Sequence, residues 1–220
     1  MDNQKILIVT GGSIDDAFAC RMITENAYDM VIACDSGMEF FRRNGLYPDL
    51  IVGDFDSADA ATVRYFRERP EVEMEQFPVE KDWTDTELAV RRALELTPKP
   101  EHIDLIGATG SRLDHMLGSL QLLDMGLTHG VEIFLTDVHN RVRLIDHALC
   151  IGREEQYGDW ISLIPYNSTV RDLTLEGMKY PLDHASLAPG VTLGISNVIT
   201  QDEARISFSK GMLFVIESRD

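Results

Sequence analysis

The segment LIVGDFDSAD, residues 50–59, places an apolar run directly before a glycine and three aspartates. A short apolar run of this kind is typical of a buried strand, and the residue types that follow it are common in turns and at helix N-termini. The segment therefore predicts a strand, a turn and the start of a helix capped by Asp59. It also raises a question of charge, because clustered carboxylates repel one another unless water solvates them or a cation pairs with them.

The same pattern of strand, turn and helix recurs through the first two-thirds of the chain. Short apolar runs predict strands near residues 6–9, 31–34, 51–52, 103–106 and 131–135. The segments between them predict helices near residues 15–27, 38–44, 59–69, 85–96 and 113–125. This alternation predicts an α/β domain built on a mainly parallel sheet, in which ligands bind beyond the carboxyl ends of the strands.

The pattern changes after about residue 140. Short runs with β-type alternation, separated by Gly, Asn, Pro and Asp, predict strands near residues 141–145, 160–165, 170–175, 191–195, 204–208 and 212–217. Such runs favour a small all-β sandwich or barrel. We therefore predict an α/β domain in residues 1–140, followed by an all-β sandwich domain in residues 141–220, with the boundary near 138–146.

Charge excludes several classes of function. The 37 acidic residues outnumber the 20 basic ones, which gives a formal net charge of −17. This argues against a sequence-independent nucleic-acid binder and against a protein that binds an anionic membrane surface. The charge suits cationic ligands and metal ions, whereas a nucleotide would need a divalent ion or a few well-placed Arg and Lys residues.

The cysteines and the N-terminal residues predict a cytoplasmic protein. Cys20, Cys34 and Cys150 are far apart and form no CxxC pair, which favours a reducing compartment over a disulfide framework or a zinc site. The sequence MDNQKILIVTGG lacks a signal-peptide pattern, and no apolar run approaches the ~20 residues that span a bilayer. Cys34 ends an apolar run and is predicted to be an inert buried thiol.

The Asp-Phe-Asp triplet is a candidate metal site. Alternation along an extended strand end sends Asp54 and Asp56 to one side and turns Phe55 toward the core. Two carboxylates at the carboxyl end of a strand make an oxygen site of the kind that Mg²⁺ prefers, completed by waters and substrate phosphates. The alternative is that both acids are ordinary turn residues.

The segment KDWTDTELAV, residues 81–90, begins with two residues that helix capping does not explain. Thr84 and Glu87 form a predicted capping box, and Asp85 in the first turn is favoured by the helix dipole. Asp82 lies in the preceding loop, where a further carboxylate facing the Asp-Phe-Asp acids would complete a metal site. Lys81 is positioned to meet a phosphate as a point charge.

The segment LIGATGSRLDHMLGSL, residues 105–120, predicts a strand, a Gly-rich turn and a helix start. Gly107 and Gly110 permit close approach of the backbone to a ligand, and Arg112 offers a fork suited to phosphate. The segment matches neither the P-loop nor the dinucleotide pattern, and the residues around it are equally typical of simple capping, with His115 satisfied by a neighbouring carboxylate.

Two further segments add candidate residues. The turn Asp35-Ser36-Gly37 follows a predicted buried strand and is a natural wall for a nucleotide, and Thr10-Gly11-Gly12 is a less specific turn of the same kind. In the β domain, Ser196 and Asn197 end a predicted strand, which on these residues alone indicates an edge turn.

Six blocks of the sequence resemble the thiamine pyrophosphokinase family, also called thiamine diphosphokinase. The blocks occur in the family's order and span nearly the whole chain. They are ACDSG (33–37), PDLIVGDFDS (48–57), KDWTDTELA (81–89), GATGSRLDH (107–115), LTLEGMKYPL (173–182) and LGISN (193–197). One departure is Ser111, where the family commonly has glycine, and it concerns only the local turn geometry.

The resemblance implies an activity, a metal and an assembly. The activity is one-step transfer of the terminal pyrophosphoryl group of ATP to the hydroxyl of thiamine, giving thiamine diphosphate and AMP, with a requirement for Mg²⁺. The assembly is a homodimer whose active site lies between the α/β domain of one subunit and the β domain of the other. The acidity of the chain suits thiamine, whose thiazolium ring is cationic.

The resemblance also implies roles for individual residues. The catalytic acids are Asp54, Asp56, Asp82 and Asp85, and we predict Asp54, Asp56 and Asp82 as the metal ligands. Residues at the nucleotide and its phosphates are Asp35, Ser36, Arg112 and Asp114, with Lys81 beside them. Ser196 and Asn197 line the thiamine pocket, and this role replaces their interpretation as an edge turn. An aspartate near the metal, with Asp82 as the candidate, would take the hydroxyl proton.

Two alternatives stay open on the sequence. The first is a pyrophosphokinase with the same acidic pocket and another acceptor, such as a pterin alcohol. The second is a non-catalytic thiamine- or nucleotide-binding regulator. The LGISN block favours thiamine as the acceptor, and the presence of all four acids favours an enzyme.

Overall fold

The computed structural model describes residues 4–220. Within them the chain divides into two compact units, one that ends at Val138 and one that runs from His139 to Asp220. The division falls two residues before the boundary that we predicted between residues 140 and 141. None of the helices in the described part combines the length and the apolar composition needed to cross a bilayer.

The first unit contains six parallel strands paired in the order β4-β3-β2-β1-β5-β6. The strands are β1 (Lys5–Val9), β2 (Met30–Cys34), β3 (Leu50–Gly53), β4 (Glu73–Gln76), β5 (His102–Ile106) and β6 (Glu132–Thr136). The helices are α1 (Asp16–Glu25), α2 (Met38–Asn44), α3 (Ala60–Arg67), α4 (Asp85–Leu94), α5 (Leu113–Gln121) and α6 (Leu123–His129). The prediction of a mainly parallel α/β domain is confirmed.

Two details of this unit differ from the sequence predictions. Strand β4 has the sequence EMEQ, which contains no apolar run, because it lies at the edge of the sheet and stays largely exposed. The single helix that we predicted over residues 113–125 is two helices, α5 and α6, which divide at Leu122. Both differences leave the carboxyl ends of the strands where the prediction placed them.

Local chemistry fixes the turn between β3 and α3. Asp59 is the N-cap of α3, as predicted, and its carboxylate accepts a hydrogen bond of 3.0 Å from the Thr62 backbone N–H. Phe55 is only 8% exposed and packs in the core of the unit, also as predicted. The turn therefore presents Asp54 and Asp56 away from that core.

Asp59→Ala is expected to lower the free energy of unfolding by about 1 kcal/mol, because it removes the N-cap hydrogen bond of α3. Urea denaturation of both proteins measures the difference. The matched control is Asp183→Ala, whose side chain is 91% exposed, and it should change stability by less than about 0.5 kcal/mol. Equal effects of the two substitutions would contradict the capping role.

The second unit is a sandwich of two antiparallel sheets, ordered β7-β13-β9 and β11-β10-β12-β8. Its strands are β7 (Asn140–Ile145), β8 (Leu149–Gly152), β9 (Trp160–Pro165), β10 (Val170–Glu176), β11 (Leu182–Leu187), β12 (Glu203–Ser207) and β13 (Leu213–Ser218). Leu163 and Val215 from one sheet share a single apolar core with Leu173 and Ile206 from the other. The all-β sandwich prediction is therefore confirmed.

The strand that we predicted at residues 191–195 is wrong. These residues form turns, in which Ile195 N–H donates to Thr192 C=O, and Gly194 meets β9 through one hydrogen bond from Leu163 N–H. Val191 and Leu193 are more than half exposed, so the apolar alternation does not mark a buried face here. Two strands of this unit were not predicted: the short β8, and β11, whose sequence LDHASL is half polar.

Candidate active site

Two glycine-rich loops at the ends of the neighbouring strands β1 and β5 are joined by backbone hydrogen bonds. Gly12 N–H donates to Gly107 C=O at 2.8 Å, and Ser13 N–H donates to Thr109 C=O at 2.6 Å. A Cβ atom on Gly12 would lie 2.2 Å from the Gly107 oxygen, so only glycine fits between the loops. The loops therefore bring bare backbone to the edge of the sheet, where a phosphate can approach closely.

These loops border a cleft of about 600 Å³. Its other walls are the turn after β2 and the first residues of α4 and α5. Ser36, Ser57, Thr86, Arg112 and His115 are among the lining residues. Helix N-termini carry free N–H groups and a partial positive charge, so the cleft suits an anionic ligand.

Three carboxylates converge at the ends of the adjacent strands β2 and β3. One carboxylate oxygen from each of Asp35, Asp54 and Asp56 lies within 4.8 Å of the others. They meet because β2 and β3 pair in register at Cys34 and Val52, and the three acids follow these strands directly. We call these three residues the acid cluster, and its donor set is the one that Mg²⁺ prefers.

Asp54 is bound by groups of the chain itself. The Asp56 backbone N–H donates to its Oδ1 at 3.1 Å, and the Lys81 ammonium donates to its Oδ2. Lys81 Nζ also lies 3.1 Å from Asp85 Oδ1. Burial is the largest single influence and opposes ionisation of Asp54, but the hydrogen bonds from Lys81 and Asp56, together with the charge of Lys81, outweigh it, so the pKa of Asp54 is lowered.

Asp35 is in the opposite situation. Its Oδ1 is buried and accepts no hydrogen bond. Burial raises the pKa of the Asp35 carboxyl to about 6, although the backbone N–H of Ser36 opposes the shift. The other carboxylates of the site act in the same direction as burial, because each repels a second negative charge. A buried oxygen without a partner, facing two more carboxylates, fits a divalent cation.

Asp35→Asn is expected to raise the free energy of unfolding by about 1 kcal/mol at pH 7 in EDTA. Folding raises the pKa of Asp35 from 3.8 to about 6, so between these values the folded chain binds more protons and stability falls as pH rises. The expected gain is no larger than about 1 kcal/mol because solvent screens a partly exposed group.

Urea denaturation at pH 4 and pH 7 tests this prediction. The free energy of unfolding of the Asn variant should be higher than that of the wild type at pH 7. The two values should be equal at pH 4, where Asp35 is protonated in the folded protein. An equal difference at both pH values would show that the charge of Asp35 is not the cause.

The set of acids in the cluster differs from the set that we predicted as metal ligands. Asp35 lies in the cluster, whereas Asp82 is exposed in the loop before α4 and lies outside it, and the identity of the metal ligands stays a prediction. Asp82 was predicted because helix capping does not explain it, whereas the pairing of β2 with β3 brings Asp35 to Asp54. A signal for Asp35 was present, since it follows its strand as Asp54 follows the next.

The start of α4 follows the predicted capping pattern in part. Thr84 is the N-cap, and its Oγ1 accepts from the Glu87 backbone N–H at 3.2 Å. The carboxylate of Glu87 accepts from Arg91 instead of reaching back to Thr84. Asp85 lies in the first turn, where Lys81 approaches it.

Arg112 and Asp114 pair with each other at the start of α5. The guanidinium donates to the carboxylate at 2.7 Å, and both side chains are about two-thirds exposed. This hydrogen bond lowers the pKa of Asp114 to about 2. Arg112 lines the cleft, so its guanidinium is placed to meet an anion there.

Ser196 and Asn197 lie in the second unit, after the turns of residues 191–195. Asn197 is buried, and its side-chain amide accepts from Tyr180 N–H at 3.0 Å and donates to Tyr180 C=O at 2.8 Å. Ser196 is exposed, with a positive φ of 56°. Asn197 thus fixes the Tyr180 backbone, and contact of both residues with thiamine stays a prediction.

The buried-thiol prediction for Cys34 is confirmed. Its side chain is 2% exposed, and burial raises its pKa. All three cysteines are free thiols.

Comparison with known families gives one result for each unit. Residues 23–135 match the family described as "Thiamin pyrophosphokinase, catalytic domain". Residues 146–213 match the family described as "Thiamin pyrophosphokinase, vitamin B1 binding domain". The acid cluster, the glycine loops and Arg112 all lie in or beside the first match, and Ser196 and Asn197 lie in the second.

Curated relatives and solved structures agree with these matches. A thiamine pyrophosphokinase of Bacillus subtilis (strain 168) is 35% identical over 86% of this chain and 87% of its own length. The solved structure of thiamine pyrophosphokinase from Bacillus subtilis superposes with a TM-score of 0.86 at 34% identity, covering 99% of this chain and 100% of that one. The solved structure of thiamin pyrophosphokinase from Geobacillus thermodenitrificans superposes with a TM-score of 0.83 at 33% identity, covering 99% of this chain and 98% of that one.

Proposed function

The chain belongs to the thiamine pyrophosphokinase family, and from this premise we propose that it transfers the terminal pyrophosphoryl group of ATP to the hydroxyl of thiamine. The observation that carries the proposal is the acid cluster of Asp35, Asp54 and Asp56 at the edge of a cleft that glycine loops and helix N-termini line. Phosphoryl-type transfer needs little covalent catalysis by the protein. It depends on positioning of the two substrates and on neutralisation of charge on the phosphate oxygens, for which these groups are suited.

The reaction makes one bond and breaks one. The hydroxyl oxygen of thiamine bonds to the β-phosphorus of ATP, and the bond from that phosphorus to the bridging oxygen of AMP breaks. AMP leaves with the electron pair, and the hydroxyl proton passes to a base or to solvent. Asp82 remains our sequence-based candidate for that base, and its exposure in the loop before α4 does not hinder a proton transfer.

The cleft offers several groups that suit the phosphates of ATP. The backbone at Gly11, Gly12 and Gly107 permits close approach, and the start of α5 offers free N–H groups. Arg112 supplies a charged fork beside them. Asp35 and Ser36 line the same cleft, in keeping with the nucleotide contacts predicted for them.

Mg²⁺ fits the acid cluster. Asp35, Asp54 and Asp56 would hold the ion, since Asp35 offers a buried oxygen without a partner and the other two carboxylates face it. The ion would supply positive charge that offsets the negative charge of the phosphates and of these acids. Asp85 lies at the same site and keeps Lys81 in place.

We also propose a homodimer, with Ser196 and Asn197 at the thiamine of the other subunit's site. Support comes from the exposed apolar side chains of Val191, Leu193 and Ile195, directly before these residues, which a second copy could cover. We propose a cytoplasmic location, in keeping with the three free thiols.

The acceptor separates this proposal from a pyrophosphokinase that acts on a pterin alcohol. The purified protein is incubated with ATP and Mg²⁺, and AMP release is followed with thiamine, with a hydroxymethylpterin and with neither. We expect AMP and an equal amount of thiamine diphosphate in the thiamine reaction alone. AMP release that depends on the pterin would overturn the acceptor, and no AMP with either alcohol would favour a binding protein.

A further inference from the structure

The acid cluster has a cation that belongs to the chain. Lys81 donates a hydrogen bond to Asp54 Oδ2 and lies 3.1 Å from Asp85 Oδ1. The Lys81 side chain is 12% exposed and that of Asp54 only 7%, so solvent screens this pair weakly. Because the Asp56 backbone N–H uses Asp54 Oδ1, Lys81 occupies the other oxygen of the same carboxylate.

The ammonium relieves only part of the negative charge. Lys81 contacts Asp54 and Asp85, and Asp54 converges with Asp35 and Asp56, so one ammonium faces two of four neighbouring carboxylates. Asp35 Oδ1 and Asp85 Oδ1 are both buried and accept no hydrogen bond, although Lys81 Nζ lies 3.1 Å from Asp85 Oδ1. The site thus has one internal counter-ion and room for more positive charge.

A divalent ion on the acid cluster would share Asp54 with this ammonium. Two cations on one carboxylate repel each other, and the repulsion is strong where water is partly excluded. The ammonium can withdraw without movement of the backbone, because it ends a flexible four-carbon stem. Lys81 is not among the residues that line the cleft, but it contacts Asp85, which is, so the ammonium lies one residue away from the cleft wall.

We propose that Lys81 is a built-in counter-ion of the acid cluster, which leaves Asp54 when a divalent ion binds and then turns to the phosphates of the nucleotide. The inference rests on the proposed function, since it assumes that Asp35, Asp54 and Asp56 hold the ion. It adds that one lysine stabilises the acids before the ion arrives and serves the substrate afterwards.

Amine labelling of the wild-type protein tests the departure of Lys81 directly. The protein is treated briefly with an amine-acylating reagent in EDTA, in saturating Mg²⁺, and in Mg²⁺ with a non-hydrolysable ATP analogue, and each lysine is quantified by peptide mass spectrometry. We expect Mg²⁺ to increase labelling of Lys81 several-fold and the analogue to suppress it again. The exposed Lys179 and Lys210 are internal standards whose labelling should not change.

Binding of Mn²⁺, measured by electron paramagnetic resonance on the same samples, distinguishes an error in the role of Lys81 from an error in the metal site itself. Mn²⁺ that binds while Lys81 labelling stays constant would overturn the counter-ion role and leave the metal site standing. If Mn²⁺ does not bind to the wild-type protein with or without nucleotide, both the metal site and this inference are wrong.

A variant gives a second readout. Lys81→Met keeps the length of the side chain and removes the charge, so we expect Mn²⁺ to bind at least about tenfold more tightly without nucleotide. The same variant should melt several degrees lower in EDTA and recover in Mg²⁺, because four acids then lack their counter-ion. Lys210→Met, at an exposed lysine, is the matched control. Unchanged or weaker Mn²⁺ binding to Lys81→Met would contradict the competition between the two cations.

Discussion

Asp54→Asn is expected to lower kcat at least about a hundredfold at saturating substrates while the protein stays folded. Asp54 is central to the acid cluster, because it lies among the three converging carboxylates and is also the main partner of Lys81. An amide keeps the size of the side chain but removes the charge that would bind Mg²⁺ and orient the ammonium. Loss of one preorganised electrostatic contact in an active site typically costs a factor of about 10²–10³.

The measurement is initial rate against Mg²⁺ concentration, with thermal denaturation to check the fold. Asp59→Asn is the matched control, because it makes the same chemical change five residues away, and Asn is as good an N-cap as Asp. That control should keep nearly all of the activity. A kcat of Asp54→Asn within a few-fold of the wild type at ordinary Mg²⁺ would show that the metal assignment is wrong.

Asp82→Asn distinguishes the metal ligands that we propose from the acid cluster from those predicted from the sequence. If Asp35 is the third ligand, Asp35→Asn should weaken the binding of Mn²⁺ and Asp82→Asn should leave it unchanged, although loss of the proposed base would lower the kcat of Asp82→Asn. Weaker Mn²⁺ binding to Asp82→Asn alone would favour Asp82 as the ligand.

Gly12→Ala is expected to lower stability by about 1–3 kcal/mol and to raise the KM for ATP. The new Cβ would lie 2.2 Å from the oxygen of Gly107 and 2.4 Å from that of Thr109, and both are backbone atoms that cannot rotate away. The two loops must therefore separate, which costs packing energy and disturbs the phosphate side of the cleft.

Urea denaturation and ATP-dependent initial rates measure the two effects. Gly118→Ala is the matched control, since the position that its methyl group would take is open space and the residue is inside α5. Alanine favours a helix interior by about 1 kcal/mol over glycine, so this control should be at least as stable as the wild type. Equal stability of the two variants would contradict the close contact of the loops.

The order of the elements in the first unit was predictable, apart from β4, because each of its other strands contains a short apolar run. Buried parallel strands need such runs on both faces, and β1 and β3 show them clearly. The edge strand β4 was missed for the same reason, since an exposed charged strand lacks the signal. In the second unit, residues 191–195 show the apolar alternation that is typical of a strand. They form turns instead, and their apolar side chains are exposed rather than packed in a core.

The acids of the site were predictable as a group, but their partners were not. The rule that ligands bind at the carboxyl ends of parallel strands pointed to Asp35 and Asp54 separately. Sequence does not say that β2 and β3 are neighbours, and that pairing is what joins these two residues. Likewise, the path of the loop that brings Lys81 to Asp54 depends on tertiary structure, so a residue assigned to phosphate proved to contact an acid.

The most direct test of one-step pyrophosphoryl transfer follows a labelled phosphate. The protein is incubated with thiamine, Mg²⁺ and ATP labelled in its γ-phosphate, and the label in each thiamine product is compared with AMP and ADP. Our account predicts one labelled thiamine diphosphate for each AMP, with no ADP and no thiamine monophosphate on the way. Formation of ADP together with labelled thiamine monophosphate would show single phosphoryl transfer and contradict the account.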